Sequence, residues 1–116
     1  NIVELLLVYG ANPNFTMVGE PPLILAVSEM YVHTMKLLVS YGADINTHGV
    51  YGYTPLHIAA EKGNVKLVET ILSWNVDVNL TDNNGDTALD VAKQHGNVKV
   101  VQLLESYIAK MNFSKN

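Results

Sequence analysis

A period of 33 residues constrains this chain more than any other feature. The segment Gly52-Tyr53-Thr54-Pro55-Leu56-His57-Ile58-Ala59-Ala60 returns one period later as Gly85-Asp86-Thr87-Ala88-Leu89-Asp90-Val91-Ala92-Lys93. One period earlier it stands as Gly19-Glu20-Pro21-Pro22-Leu23-Ile24-Leu25-Ala26-Val27. The glycine, the leucine and the first alanine keep their places in all three copies. A second stretch repeats in register: Leu37 to Asn46 matches Thr70 to Asn79, and Leu5 to Asn14 is an earlier copy with a loop one residue shorter. Units this small cannot bury an apolar face alone, so they must stack in a row.

Within the middle unit the residues specify their own elements. Thr54 suits a helix N-cap and Pro55 the first helical position, where a missing N–H costs nothing. A short helix is expected from Pro55 to about Lys62, ended at Gly63. Asn64 can cap a second helix, roughly Val65 to Trp74, whose Val65, Val68, Ile71 and Leu72 share one face. Asn75 takes the stop position that Gly10 and Gly42 hold in other copies, as the next best residue for a left-handed cap. The stretch from Asp77 to Asp86 is expected to be an extended finger, with turn chemistry at Asp82-Asn83-Asn84-Gly85.

Thr-Pro-Leu-His, together with Gly-Ala-Asp-x-Asn at this period, resembles the ankyrin repeat family. The resemblance runs from Asn1 to about Tyr107. It implies an all-α solenoid of stacked antiparallel helix pairs, about seven helices in all, with projecting β-hairpin-like fingers. The chain then divides into a partial repeat at 1–14, repeats at 16–48 and 49–81, a C-terminal capping repeat at 82–111 and a tail at 112–116. In the family the motif histidine bonds to backbone of its own and the adjacent repeat. His57 alone matches that position, and Ile24 and Asp90 replace it in the flanking copies.

The two ends differ. The last copy carries Asp90, Lys93 and Gln94 on its first helix, and its second helix runs on past Leu104 without a stop, as a soluble cap requires. Asn1 to Leu7 reads as a second helix without its first, so the natural protein is expected to continue upstream, with Val3, Leu5 and Leu6 partly uncovered here.

Composition narrows the function. Apolar residues make up 48 % and charged residues 16 %, which argues for a packed core and against disorder. No apolar run approaches the roughly 18 residues of a membrane span, and no basic head of a secretory leader opens the chain. Cysteine is absent, which removes disulfides and thiolate chemistry and leans towards an intracellular setting. The net charge is −4 and every basic residue is lysine, a poor composition for nucleic-acid binding.

Catalytic and cofactor motifs do not assemble. His33, His48, His57 and His95 lack metal-ligand spacing. Asp77 to Asp82 echoes a calcium loop but lacks its glycine and its closing glutamate. Phosphate-loop glycines and a hydrolase elbow are missing. Sequons at Asn14, Asn79 and Asn112 read as coincidence, two of them using the asparagine of the finger base. The resemblance also raises hydroxylation of Asn46 and Asn79. No cofactor or metal is expected.

The expected function is a non-catalytic scaffold, monomeric, that binds another protein through finger tips and the groove faced by the first helices. The alternative is a regulatory or substrate-recruiting module of a larger enzyme, channel or ubiquitin-ligase adaptor. Mapping the family's binding positions gives three sets. Met17, Val18, Glu20, Ser28 and Glu29 come from one copy, and Val50, Tyr51, Tyr53, Glu61 and Lys62 from the next. Asn83, Asn84, Asp86, Lys93 and Gln94 form the third set, which suits ordinary solvated positions. In the first two sets Met17, Val18, Val50, Tyr51 and Tyr53 are apolar or aromatic where a loop would be polar. The binding residues are therefore expected to be Met17, Val18, Glu20, Glu29, Val50, Tyr51, Tyr53, Glu61 and Lys62. Alternation along an extended finger would point Tyr51 and Tyr53 to one face.

Overall fold

The computed structural model describes residues 20–114, with side chains through residue 112. The expectations for the partial first repeat and for Met17 and Val18 lie outside these residues. Six α-helices follow in order: α1 (Pro22–Ser28), α2 (Val32–Ser40), α3 (Pro55–Lys62), α4 (Val65–Leu72), α5 (Ala88–Gln94) and α6 (Val98–Ser114). A single 3-10 turn, Val50–Gly52, lies between α2 and α3.

Helices pair as α1 with α2, α3 with α4, and α5 with α6. The first helices of the pairs then pack in a row, α1 on α3 and α3 on α5, while α4 meets α6. This is the all-α repeat solenoid that the 33-residue period requires.

Local chemistry explains each boundary. Thr54 is extended and its hydroxyl accepts from the backbone N–H of His57, with Pro55 as the first helical residue. Thr87 caps α5 in the same way, accepting from Asp90. Asn64 caps α4 through the Leu67 N–H at 3.0 Å. The turn between paired helices needs a left-handed residue at one fixed position. Gly63 and Gly96 occupy it with φ of 69° and 67°, and Met30 occupies it with φ of 58°. A Cβ-bearing residue held there costs about 1–2 kcal/mol. Asn75 is left-handed at φ 57°, where Gly42 has 96°, as its capping chemistry implies.

Two local expectations need correction. Helix α4 stops at Leu72, and Trp74 lies in the turn that follows, because the Trp74 N–H bonds back to Ile71 and that of Asn75 to Leu72. The span 77–86 is not a continuous extended finger. It is a sequence of turns closed by backbone bonds from the Asp82 N–H to the Asp86 carbonyl at 2.9 Å and from the Gly85 N–H to the Asp82 carbonyl at 3.0 Å.

The core is one continuous cluster. Leu23, Leu56, Ala26, Ala59 and Ala92 come from the first helices, and Leu38, Leu67, Val68, Ile71, Val100 and Leu104 from the second. Leu67 joins the expected buried face of α4, whereas Val65 is only partly covered.

His57 ties this core to the next finger. Its Nδ1 accepts from the Thr54 N–H at 3.2 Å and lies 2.7 Å from the Thr54 hydroxyl. Its Nε2 is 2.8 Å from the Asp86 carbonyl. A carbonyl can only accept, so Nε2 carries the proton and donates. Asp90, at the matching position one period on, reproduces the local half of this pattern by accepting from the Thr87 N–H at 3.0 Å. That hydrogen bond, ahead of the opposing effect of burial, holds its carboxyl below the usual range.

His57 is 1 % exposed. His57→Ala strands buried polar partners and is expected to destabilise by about 1–3 kcal/mol. His48→Ala, at an exposed position, is expected to stay within about 0.5 kcal/mol. Denaturant unfolding of both variants checks this, and equal midpoints would remove the structural role of His57.

Candidate binding groove

The two fingers of the described residues are built from different chemistry at equivalent positions. In the third finger Asp82 folds the turn on itself: its carboxylate accepts from the Asn84 N–H at 2.8 Å and the Asp86 N–H at 3.0 Å. One period earlier Gly49 has no side chain to do this. Glu20 supplies a carboxylate from the preceding finger instead, accepting from the Val50 N–H at 2.8 Å. A Cβ at Gly49 would stand 2.7 Å from that Glu20 oxygen, so the absence of a side chain is what admits Glu20.

The tip that follows is a turn, not a strand. Gly52 N–H bonds to the Gly49 carbonyl at 3.1 Å, and Tyr51 has φ 65° and ψ 10°. The expected alternation of Tyr51 and Tyr53 therefore fails. Tyr51 projects into solvent at 75 % exposure, beside Val50 at 53 %. Tyr53 is half-buried and stacks on His57 with ring centroids 5.4 Å apart. Its hydroxyl donates to the Glu61 carboxylate. Burial first, then the Glu61 hydrogen bond and the charges of Glu61, Asp82 and Asp86, push the Tyr53 phenol up to about 12.

These residues border an open groove of about 480 Å³ between the second finger and the first helices. Ile24 and Ile58 form its floor, and Glu20, Ser28, Val50, Tyr51, Tyr53, Glu61 and Lys62 surround it. Asn83 and Asn84 of the next finger also line it. Asn83 holds the neighbouring tip in place, its N–H donating to the Tyr51 carbonyl at 2.9 Å. Of the expected binding residues in the described part, only Glu29 is not at the groove; it is exposed at the C-cap of α1. In the third set Gln94 donates to the Asp86 carboxylate at 3.0 Å, and Lys93 is exposed.

The repeat geometry is matched by comparison with known families. A family model described as ankyrin repeats (3 copies) covers residues 1–82 and, in a second match, 52–115. The chain belongs to the ankyrin repeat family. Ankyrin repeats are generally protein–protein interaction modules and are typically non-catalytic. The comparison with curated proteins finds no match for the chain. Among the described residues of this ankyrin domain, no helix is long and apolar enough to cross a membrane, and no three His, Asp or Glu side chains cluster to hold a metal ion.

Sequence reasoning missed the floor of Ile24 and Ile58 and the structural bond of Glu20. Gly49 carried the signal for the second, because it stands where Asp82 stands one period later.

The raised Tyr53 phenol has a consequence for stability. The unfolded tyrosine ionises near 10 and the folded one near 12, so between these values the native state holds the extra proton. The contribution is fully present below pH 10 and is lost as pH rises through about 12. Chemical denaturation of wild type and Tyr53→Phe across this window is expected to show a shallower fall for the variant; identical slopes would contradict it.

Proposed function

We propose that this domain is a non-catalytic, monomeric scaffold that binds a partner protein in its groove, with Tyr51 as the principal anchor. The supporting observation is the cost of Tyr51. A left-handed backbone costs a bulky residue about 1–2 kcal/mol, and glycine or asparagine would fit without it. The ring, 75 % exposed, recovers little of this through burial within the domain. Backbone outliers of this kind cluster at binding sites, and tyrosine is among the residues that most often anchor interfaces. Val50 adds apolar surface at the same tip. The absence of cysteine supports action inside the cell.

Affinity capture read by mass spectrometry provides the partner for titration. Tyr51→Ala is expected to weaken its binding at least tenfold, about 1.4 kcal/mol, without lowering the unfolding temperature. Tyr51→Gly is expected to raise that temperature while losing the same affinity. Lys93→Ala, away from the groove, serves as the control. If Tyr51→Ala unfolds earlier yet its folded fraction binds normally, Tyr51 is structural and the assigned anchor is wrong.

A further inference from the structure

We propose that the groove accepts a basic side chain, arginine or lysine, from an extended segment of the partner. This rests on the binding role given to the groove above. Three features carry it. Ile24 and Ile58 give an apolar floor, and Tyr51 an aromatic wall beside it. Glu20 and Glu61 both bring carboxylates to the groove, one from just ahead of α1 and one from the last turn of α3. Among the described residues neither carboxylate is closed by an ion pair. The bonds they make, from the Val50 N–H to Glu20 and from the Tyr53 hydroxyl to Glu61, leave acceptor capacity on each.

Arginine and lysine match this arrangement because they combine an apolar stem with a cationic head. The stem lies on the isoleucine floor and against the tyrosine face, where a cation is also attracted. The head reaches the carboxylates in charge-assisted bonds. About 480 Å³ falls within the usual range of ligand clefts and leaves room for residues beside the basic one. The chain contains no arginine, so a guanidinium here must come from outside.

Lys62 opposes the inference and supplies its sharpest test. It borders the same groove and is exposed. A cationic occupant is repelled by it, and an acidic occupant would be drawn to it. Removing its charge must therefore tighten a basic segment and weaken an acidic one.

The experiment uses the 116-residue chain and a displayed library of random dodecapeptides. Enriched sequences are synthesised and titrated against wild type, Glu61→Gln, Lys62→Gln and Tyr51→Ala, with thermal unfolding as the check on folding. Glutamine keeps the acceptor that Tyr53 uses, so Glu61→Gln removes charge and little else. The expected result is enrichment of peptides with a basic residue whose replacement by norleucine abolishes binding. Glu61→Gln should weaken binding about tenfold, Lys62→Gln should tighten it, and added salt should weaken it. Peptides that depend on Tyr51 but carry no essential basic residue, or that ignore Glu61→Gln, overturn the cationic occupant and leave the binding role standing. Peptides that prefer acidic residues and lose affinity in Lys62→Gln reverse its sign and also overturn it. Failure to enrich any sequence sensitive to Tyr51→Ala overturns both.

Discussion

Consecutive first helices meet through alanine. Ala26, Ala59 and Ala92 recur at the same position of successive repeats, and each is at most 4 % exposed. A larger side chain there would push α1, α3 and α5 apart, because close-packed interiors do not absorb added volume cheaply. Leucines 23 and 56, one period apart, fill the space beside the alanines. The spacing between repeats thus follows from one small residue per unit, and everything that spans two repeats depends on that spacing. Each unit touches only its neighbours, so stability accumulates interface by interface.

Polar groups use the same spacing to lock the row. The Asp86 carbonyl accepts twice, from the Asp82 N–H at 2.9 Å and from His57 at 2.8 Å, so one finger is closed and tied to the preceding helix at a single atom. Asn97 performs a second tie. Its amide donates to the carbonyls of Ala60 at 2.7 Å and Glu61 at 3.2 Å, satisfying ends of α3 that have no partner within the helix. Gly63 leaves space for this: a Cβ there would stand 2.8 Å from Asn97. In the preceding repeat Met30 replaces that glycine, and Asn64 meets the methionine sulfur at 3.5 Å in place of a helix-end carbonyl. At this position the first interface is tied to a weak sulfur acceptor where the second is tied to carbonyls.

What could be read from the chain follows the range of the interaction involved. Thr54, Pro55, Gly63, Asn64 and Asn75 act on backbone within a few residues, and their roles were legible. His57 was legible through its motif, although its distant acceptor lies in the next repeat. Glu20 was not, because its partner is 30 residues away and only the missing side chain at Gly49 admits it. The tyrosines of the second finger misled for a different reason. Alternation assumes extended backbone, and Tyr51 sits left-handed within a turn. The residues of that tip gave no local sign of this, since a bulky aromatic is disfavoured there.

The position shared by Glu20, Tyr53 and Asp86 explains how a uniform scaffold carries a particular groove. Its backbone role recurs where the finger closes: the Tyr53 carbonyl accepts from Gly49, as the Asp86 carbonyl does from Asp82. Its side chains share nothing. Glu20 reaches forward to Val50, Tyr53 stacks on His57 and meets Glu61, and Asp86 accepts from Gln94. Folding uses the main chain at this position and leaves the side chain free to vary. Two of the three variants, an acid and a tyrosine, border the groove, and the third does not. The character of the groove is therefore written in residues that the repeat itself does not require, which is why a period that determines the fold so strongly does not determine the chemistry of the groove.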